Sequence, residues 1–109
     1  MRYSKKRQQA ENELRRIEKE LDQDEINLHC FFIPAQKKNE YHHIIPKAEG
    51  LQWVAMKENL LPIGTWAHDV LTFGKNEEIK KLPWIDEYLE MMELLNEDYY
   101  QRYMLKLSK

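Results

Sequence analysis

Apolar residues first recur at helical spacing. Ala10, Leu14, Ile17 and Leu21 follow one another at intervals of four, three and four, among Glu, Arg, Lys and Gln. That period lays one apolar stripe along an α-helix. Helix formers fill 4–23 with no Gly or Pro, so the spacing predicts an N-terminal helix over 4–23. The pattern then shortens. LHCFFIP (28–34) and EYHHIIP (40–46) are short aromatic and β-branched runs, each stopped by proline, and read as strands. KAEGLQWVAMKE (47–58), broken at Gly50, reads as a loop with a helical turn, and NLLPI (59–63) as a further strand-like run. Thr65 as an N-cap and Gly74 as a stop bracket a short helix over 66–73, with His68 in its first turn. Asn76 is positioned to cap EEIKKL, which Pro83 ends. Beyond Pro83 the pattern predicts one long helix over 83–107, with Ile85, Tyr88, Met92, Leu95, Tyr99 and Tyr103 along one side. That stripe suits either the core or a homodimer seam.

The resulting expectation is a single α+β domain over 1–109, two longer helices framing a middle with little sheet. Composition changes this picture little. With 42% apolar and 33% charged residues the chain is an ordinary globular one, and no apolar run is long enough to span a membrane. The basic N-terminus lacks the apolar stretch of a secretory signal, so the expected location is cytoplasmic, in a bacterial or phage-infected host cell. Cys30 is the only cysteine, which excludes an intramolecular disulfide and a multi-cysteine zinc site. Net charge is −2, unevenly spread: residues 84–98 hold six acids and no base, and the first half is the more basic. A polyanion is tolerated better by that first half.

Candidate chemistry lies in the middle. His42 and His43 stand side by side before an apolar pair and Pro46, with Asn59 sixteen residues after His43 and His68 nine after Asn59. A strand pair with a helix packed across it brings these positions together. Phosphodiester hydrolysis has a use for such a set. It needs an activated water, which a neutral imidazole deprotonates near neutral pH, and a counter-charge for the transition state and the leaving oxygen, which a divalent cation supplies. One histidine as base, two as ligands and an amide to orient the base make a minimal set. The helix start that carries His68 also suits a phosphate. One geometric difficulty stands: neighbours on a regular strand face opposite ways, so His42 and His43 converge only if the strand is distorted or ends there.

At CFFIPAQKKNEYHHIIPKAEG and ENLLPIGTWAHDVLTFGK the chain resembles the HNH endonucleases of the ββα-metal superfamily, most of all the small phage and prophage members. The likeness covers about residues 28–76 and implies a ββα-metal core between the two flanking helices. Position by position, it implies His42 and His68 as metal ligands and His43 as the general base, with Asn59 holding the loop and orienting His43. The implied activity is hydrolysis of DNA with one divalent cation, RNA remaining open. Two positions depart from the family pattern. Ile33 stands three residues after Cys30, so no structural zinc knuckle is expected. Thr72 stands where many relatives carry a further His or Asn. Imidazole ligands favour Mn, Ni, Co or Zn over Mg. Lys37, Lys38 and Lys47 are candidates for contacts to the DNA backbone, and Arg2, Lys5, Lys6 and Arg7 form a second basic patch.

Two other readings fit the same residues. One is a non-catalytic module with a structural zinc, completed by His29 or Cys30. The other is a helical interaction protein in which the histidines are incidental.

Overall fold

The computed structural model describes residues 4–109; of the N-terminal basic patch, Arg2 lies outside them. Helix α1 (Lys5–Asp22) is started by Ser4, whose hydroxyl accepts from the Arg7 amide, and it buries Leu14 and Ile17. Strand β1 (Glu40–His43) pairs antiparallel with β2 (Leu60–Ile63), His42 opposite Leu61 and His43 opposite Leu60. The connection between them runs through three single 3-10 turns. Helix α2 (Thr65–Phe73) follows β2 at once, then α3 (Asn76–Lys80), α4 (Ile85–Leu95) and α5 (Glu97–Leu107). The protein is thus an α+β domain with five helices and a two-stranded antiparallel sheet.

The strand alternation sorts side chains onto two cores. Tyr41 and Leu60 face α1 and close a small cluster with Leu14, Ile17 and Val54. Leu61 and Ile63 face the other way, into the main core with Val70 and Leu71 of α2 and Met92 of α4. A two-stranded ribbon is marginal alone; here both faces are covered, and Ile45, Val54 and Met92 reach complete burial.

Four expectations are corrected. Thr65 does not cap α2 but is its first residue, and the cap position is Gly64, which has no side chain to accept a hydrogen bond. LHCFFIP is not a strand. Its amides go to separate partners, Cys30 N–H to Gln36 and Phe31 N–H to Pro62, and only an isolated bridge joins His29 to Lys37. Phe32 leaves the segment to stack on Trp84 at 4.5 Å, and Phe31 stays half-exposed. The C-terminal helix is not continuous either. Asn96 takes an extended conformation (φ −158°, ψ 96°) and caps a new helix by accepting from the Tyr99 amide. Helix α5 then folds back, and Leu107 is buried in the main core beside Ile79. Asn76, finally, does not cap its own helix: its amide donates to the Lys106 and Lys109 carbonyls and ties down the end of α5. The Tyr/Met stripe is turned inward, with Tyr88 and Met92 buried and Ile85, Leu95, Tyr99 and Tyr103 packed against the core. No helix among the described residues is long and apolar enough to cross a membrane.

Candidate functional site

The strand–loop–strand–helix order brings the histidines together. His42 lies on the β1 face that meets α2 and α4, and its Nδ1 stands 2.9 Å from Nδ1 of His68. Its Nε2 is 2.9 Å from the hydroxyl of the buried Tyr88 on α4. His68 Nε2 in turn lies 3.3 Å from Glu40 Oε1, two residues before His42 on the same strand face. The two imidazoles therefore point one nitrogen at each other and the other at an oxygen. With the Tyr88 hydroxyl donating to His42 Nε2, His42 Nδ1–H donates to His68 Nδ1; with Nε2 of both rings protonated instead, the two Nδ1 lone pairs are left for a proton or a cation.

This donor set fits a divalent ion. Two imidazole nitrogens sharing one ion at about 2.1 Å each, with a right-angled bite, stand about 3 Å apart. A carboxylate or hydroxyl on the distal ring nitrogen is the usual means of fixing the tautomer of a ligating histidine. Burial, with the neighbouring imidazoles of His68 and His43 adding to it, holds the His42 pKa down at about 3, so its ring is neutral and ready to ligate. Among the described residues no third His, Cys, Asp or Glu joins the pair in a three-ligand group. The Cys30 thiol is hydrogen-bonded to the Lys37 carbonyl, and the His29 Nδ1 is buried with no hydrogen-bond partner among the described residues.

His43 keeps the strand alternation and faces the other way. Its Nε2 lies 2.8 Å from the Val54 carbonyl, which only a protonated nitrogen can approach in this way; Nε2–H donates, and Nδ1 holds the free lone pair. Burial draws its pKa below 6.5, the Val54 carbonyl working against that shift. β1 ends at His43, and although the two rings leave opposite faces of the strand both residues line one cleft.

Asn59 is fully buried and secures the loop that carries Val54. Its Oδ1 accepts from the Ile45 amide at 2.7 Å, and its Nδ2 donates to the Ile45 and Trp53 carbonyls, each at 2.9 Å. Only an amide side chain offers one acceptor and two donors at one end. Asn59 makes no hydrogen bond to a histidine among the described residues; the Trp53 carbonyl it holds precedes Val54, whose carbonyl meets His43.

A cleft of about 550 Å³ opens over these rings, floored by Leu71, Ile79 and Leu107 and flanked by α5. Of the three lysines proposed from the sequence, Lys47 lines this cleft, paired with Glu11 at 2.7 Å. Lys38 is held on the α1 side by Asp22 at 2.8 Å and lies over the Tyr41 ring. Lys37 is exposed on the preceding loop, outside the cleft lining.

No family model, curated protein or solved structure matches this chain.

Glu40 and Tyr88 are the residues that sequence reading passed over. Glu40 had a signal, its period-two spacing from His42 in EYHH. Tyr88 had none beyond its place in an apolar stripe, since its partner is 46 residues away. Thr72, four residues after His68, does line the cleft.

Proposed function

We propose that this protein is a metal-dependent endonuclease of the ββα-metal (HNH) type that hydrolyses phosphodiester bonds of DNA. The observation that carries the reading is the meeting of the His42 and His68 Nδ1 atoms at 2.9 Å in the cleft that also receives His43, whose Nε2–H is spent on Val54. His42 and His68 would hold a divalent cation, which supplies charge neutralisation for the phosphate and the leaving 3′ oxygen when bound.

The remaining chemistry belongs to the chain itself. His43 Nδ1 takes a proton from the attacking water, and the Val54 carbonyl stabilises the imidazolium that forms by accepting a strengthened hydrogen bond from Nε2–H. The carbonyl also fixes the tautomer, so the lone pair is always on the cleft side. Asn59 keeps that carbonyl in place. Tyr88 and Glu40 hold the two ligand rings so that neither has to reorient on binding. With His42 and His68 as its two protein ligands, a bound ion would have room for water and phosphate.

The test is incubation of the purified protein with supercoiled plasmid and Mn²⁺, Ni²⁺, Co²⁺ or Mg²⁺, beside His43→Ala. Metal-dependent nicking by the wild type, lost in the variant and at least as fast with Mn²⁺, Ni²⁺ or Co²⁺ as with Mg²⁺, is the expected result. Cleavage that proceeds in Mg²⁺ alone argues against His42 and His68 as ligands. Equal cleavage by both proteins removes His43 from the chemistry.

A further inference from the structure

The cleft has a second wall that the nuclease reading does not use. It is built by α5, which contributes Tyr99, Arg102, Tyr103 and Lys106, and its end is pinned by the Asn76 amide on the Lys106 carbonyl. The charge of the lining is selective. The chain has 19 acids against 17 Lys and Arg, yet no Asp or Glu among the described residues lines the cleft, whereas Lys47, Arg102 and Lys106 do, beside the three histidines. The acids that balance two of these cations stand outside it: Glu11 on Lys47, Glu49 and Asp98 on Arg102. Arg102 lies over the Tyr99 ring at 5.3 Å, which stiffens its side chain and occupies that face of the ring. Tyr103, one turn further along and half-buried, lies beside the apolar floor at Leu107.

We propose that α5 forms the far wall of a groove for a single nucleic-acid strand, Arg102 and Lys106 engaging its phosphates while the face of an unpaired base packs on Tyr103. This rests on the nuclease reading of the cleft and names its substrate class: DNA that is single-stranded or locally unpaired. An intact duplex offers only phosphates and base edges to such a cleft. Its apolar floor and the Tyr103 ring are covered only when a base leaves the stack. Cations interleaved with an aromatic ring are the features that bind single strands without sequence preference. Glu49 competes with phosphate for Arg102, so the groove carries a built-in rival for its own ligand.

Binding is measured with metal chelated, so the result does not depend on cleavage. Fluorescence anisotropy with a labelled single-stranded oligonucleotide, the same sequence as a duplex and a mononucleotide as competitor gives three affinities. The single strand is expected to bind at least tenfold more tightly than the duplex, and the mononucleotide to compete weakly. Arg102→Gln and Lys106→Gln, both at exposed positions, should each reduce the slope of log K against log salt by about 0.7. Tyr103→Leu should weaken binding about tenfold, and Glu49→Gln should tighten it; circular dichroism of each variant verifies its fold. Duplex binding as tight as single-strand binding overturns the proposal. So do unchanged salt slopes, or a mononucleotide that competes as well as the oligonucleotide. Cleavage of the same oligonucleotides with metal added is scored separately. Strand binding through α5 without cleavage removes the nuclease reading and leaves the groove, while cleavage indifferent to the α5 variants does the reverse.

Discussion

Asn59→Ala deletes three hydrogen bonds at one buried point. The side chain is fully enclosed, and its loss strands the Ile45 N–H, the Ile45 carbonyl and the Trp53 carbonyl. A buried backbone group left without its partner costs about 1–3 kcal/mol. Relaxation of the loop recovers part of this, and a net loss of about 4 kcal/mol is expected. Against a typical domain stability of about 5–15 kcal/mol the variant stays folded but loses much of its margin. Urea unfolding followed by circular dichroism measures the difference, and amide exchange locates it. Amides of 44–58 should lose protection selectively, because Asn59 joins the two ends of that loop. Asn59→Asp is a sharper probe. It keeps the acceptor for Ile45 but sets a buried carboxylate against two carbonyl oxygens, so at neutral pH it should be at least as unstable as the alanine variant. Protonation restores one donor, and the Asp variant should recover relative to alanine as pH falls. A loss below about 1 kcal/mol, or protection lost evenly over the chain, refutes the assignment of Asn59 as the clasp of this loop.

Other consequences follow from the histidine environments. Burial keeps His43 unprotonated below the usual imidazole range, so the acidic limb of the cleavage rate against pH should have its midpoint below 6.5; a midpoint above that value contradicts a buried His43 base. His42, with its pKa pushed down to about 3, takes up no proton on the folded chain between 6.5 and 3, whereas the unfolded chain does. Stability is therefore lost as pH falls through that window, by about 2 kcal/mol between pH 7 and pH 5 with metal chelated, and His42→Gln should flatten the profile measured by urea titration. Stripping metal with a chelator should leave the far-ultraviolet spectrum unchanged, because two apolar cores rather than an ion hold the elements together; unfolding on chelation would instead mark a structural metal.

Where the physics is local, the sequence was sufficient. The period of α1, the two runs around the histidines and the extent of α2 came out within a residue or a few, because periodicity and stop residues decide them, although the cap of α2 fell on Gly64 rather than Thr65. Long-range pairing was not legible. LHCFFIP has every local feature of a strand, yet its amides bond to a turn and to β2 separately, and Phe32 is drawn away by Trp84. The break at Asn96 did leave a mark: Asn followed by Glu97 and Asp98 is an N-cap with an acidic first turn. The surrounding helix formers and the unbroken apolar stripe concealed it. In the site, the pairing of His42 with His68 follows from the strand–loop–strand–helix order. The supporting contacts from Tyr88 and Glu40 depend on how α4 and the strand face are packed, and the choice of Lys47 over Lys38 depends on which side of β1 each lysine falls.

In the proposed chemistry the ligand pair and the base have separate duties. Calorimetric titration of Mn²⁺ or Ni²⁺ into wild type, His43→Ala and His68→Gln, with plasmid nicking measured on the same samples, tests that separation most directly. His43→Ala should bind the ion with wild-type affinity while nicking falls by about 10²–10⁴, and His68→Gln should lose binding and nicking together. Undiminished ion binding by His68→Gln, or binding lost by His43→Ala with no loss of nicking at saturating metal, would contradict it.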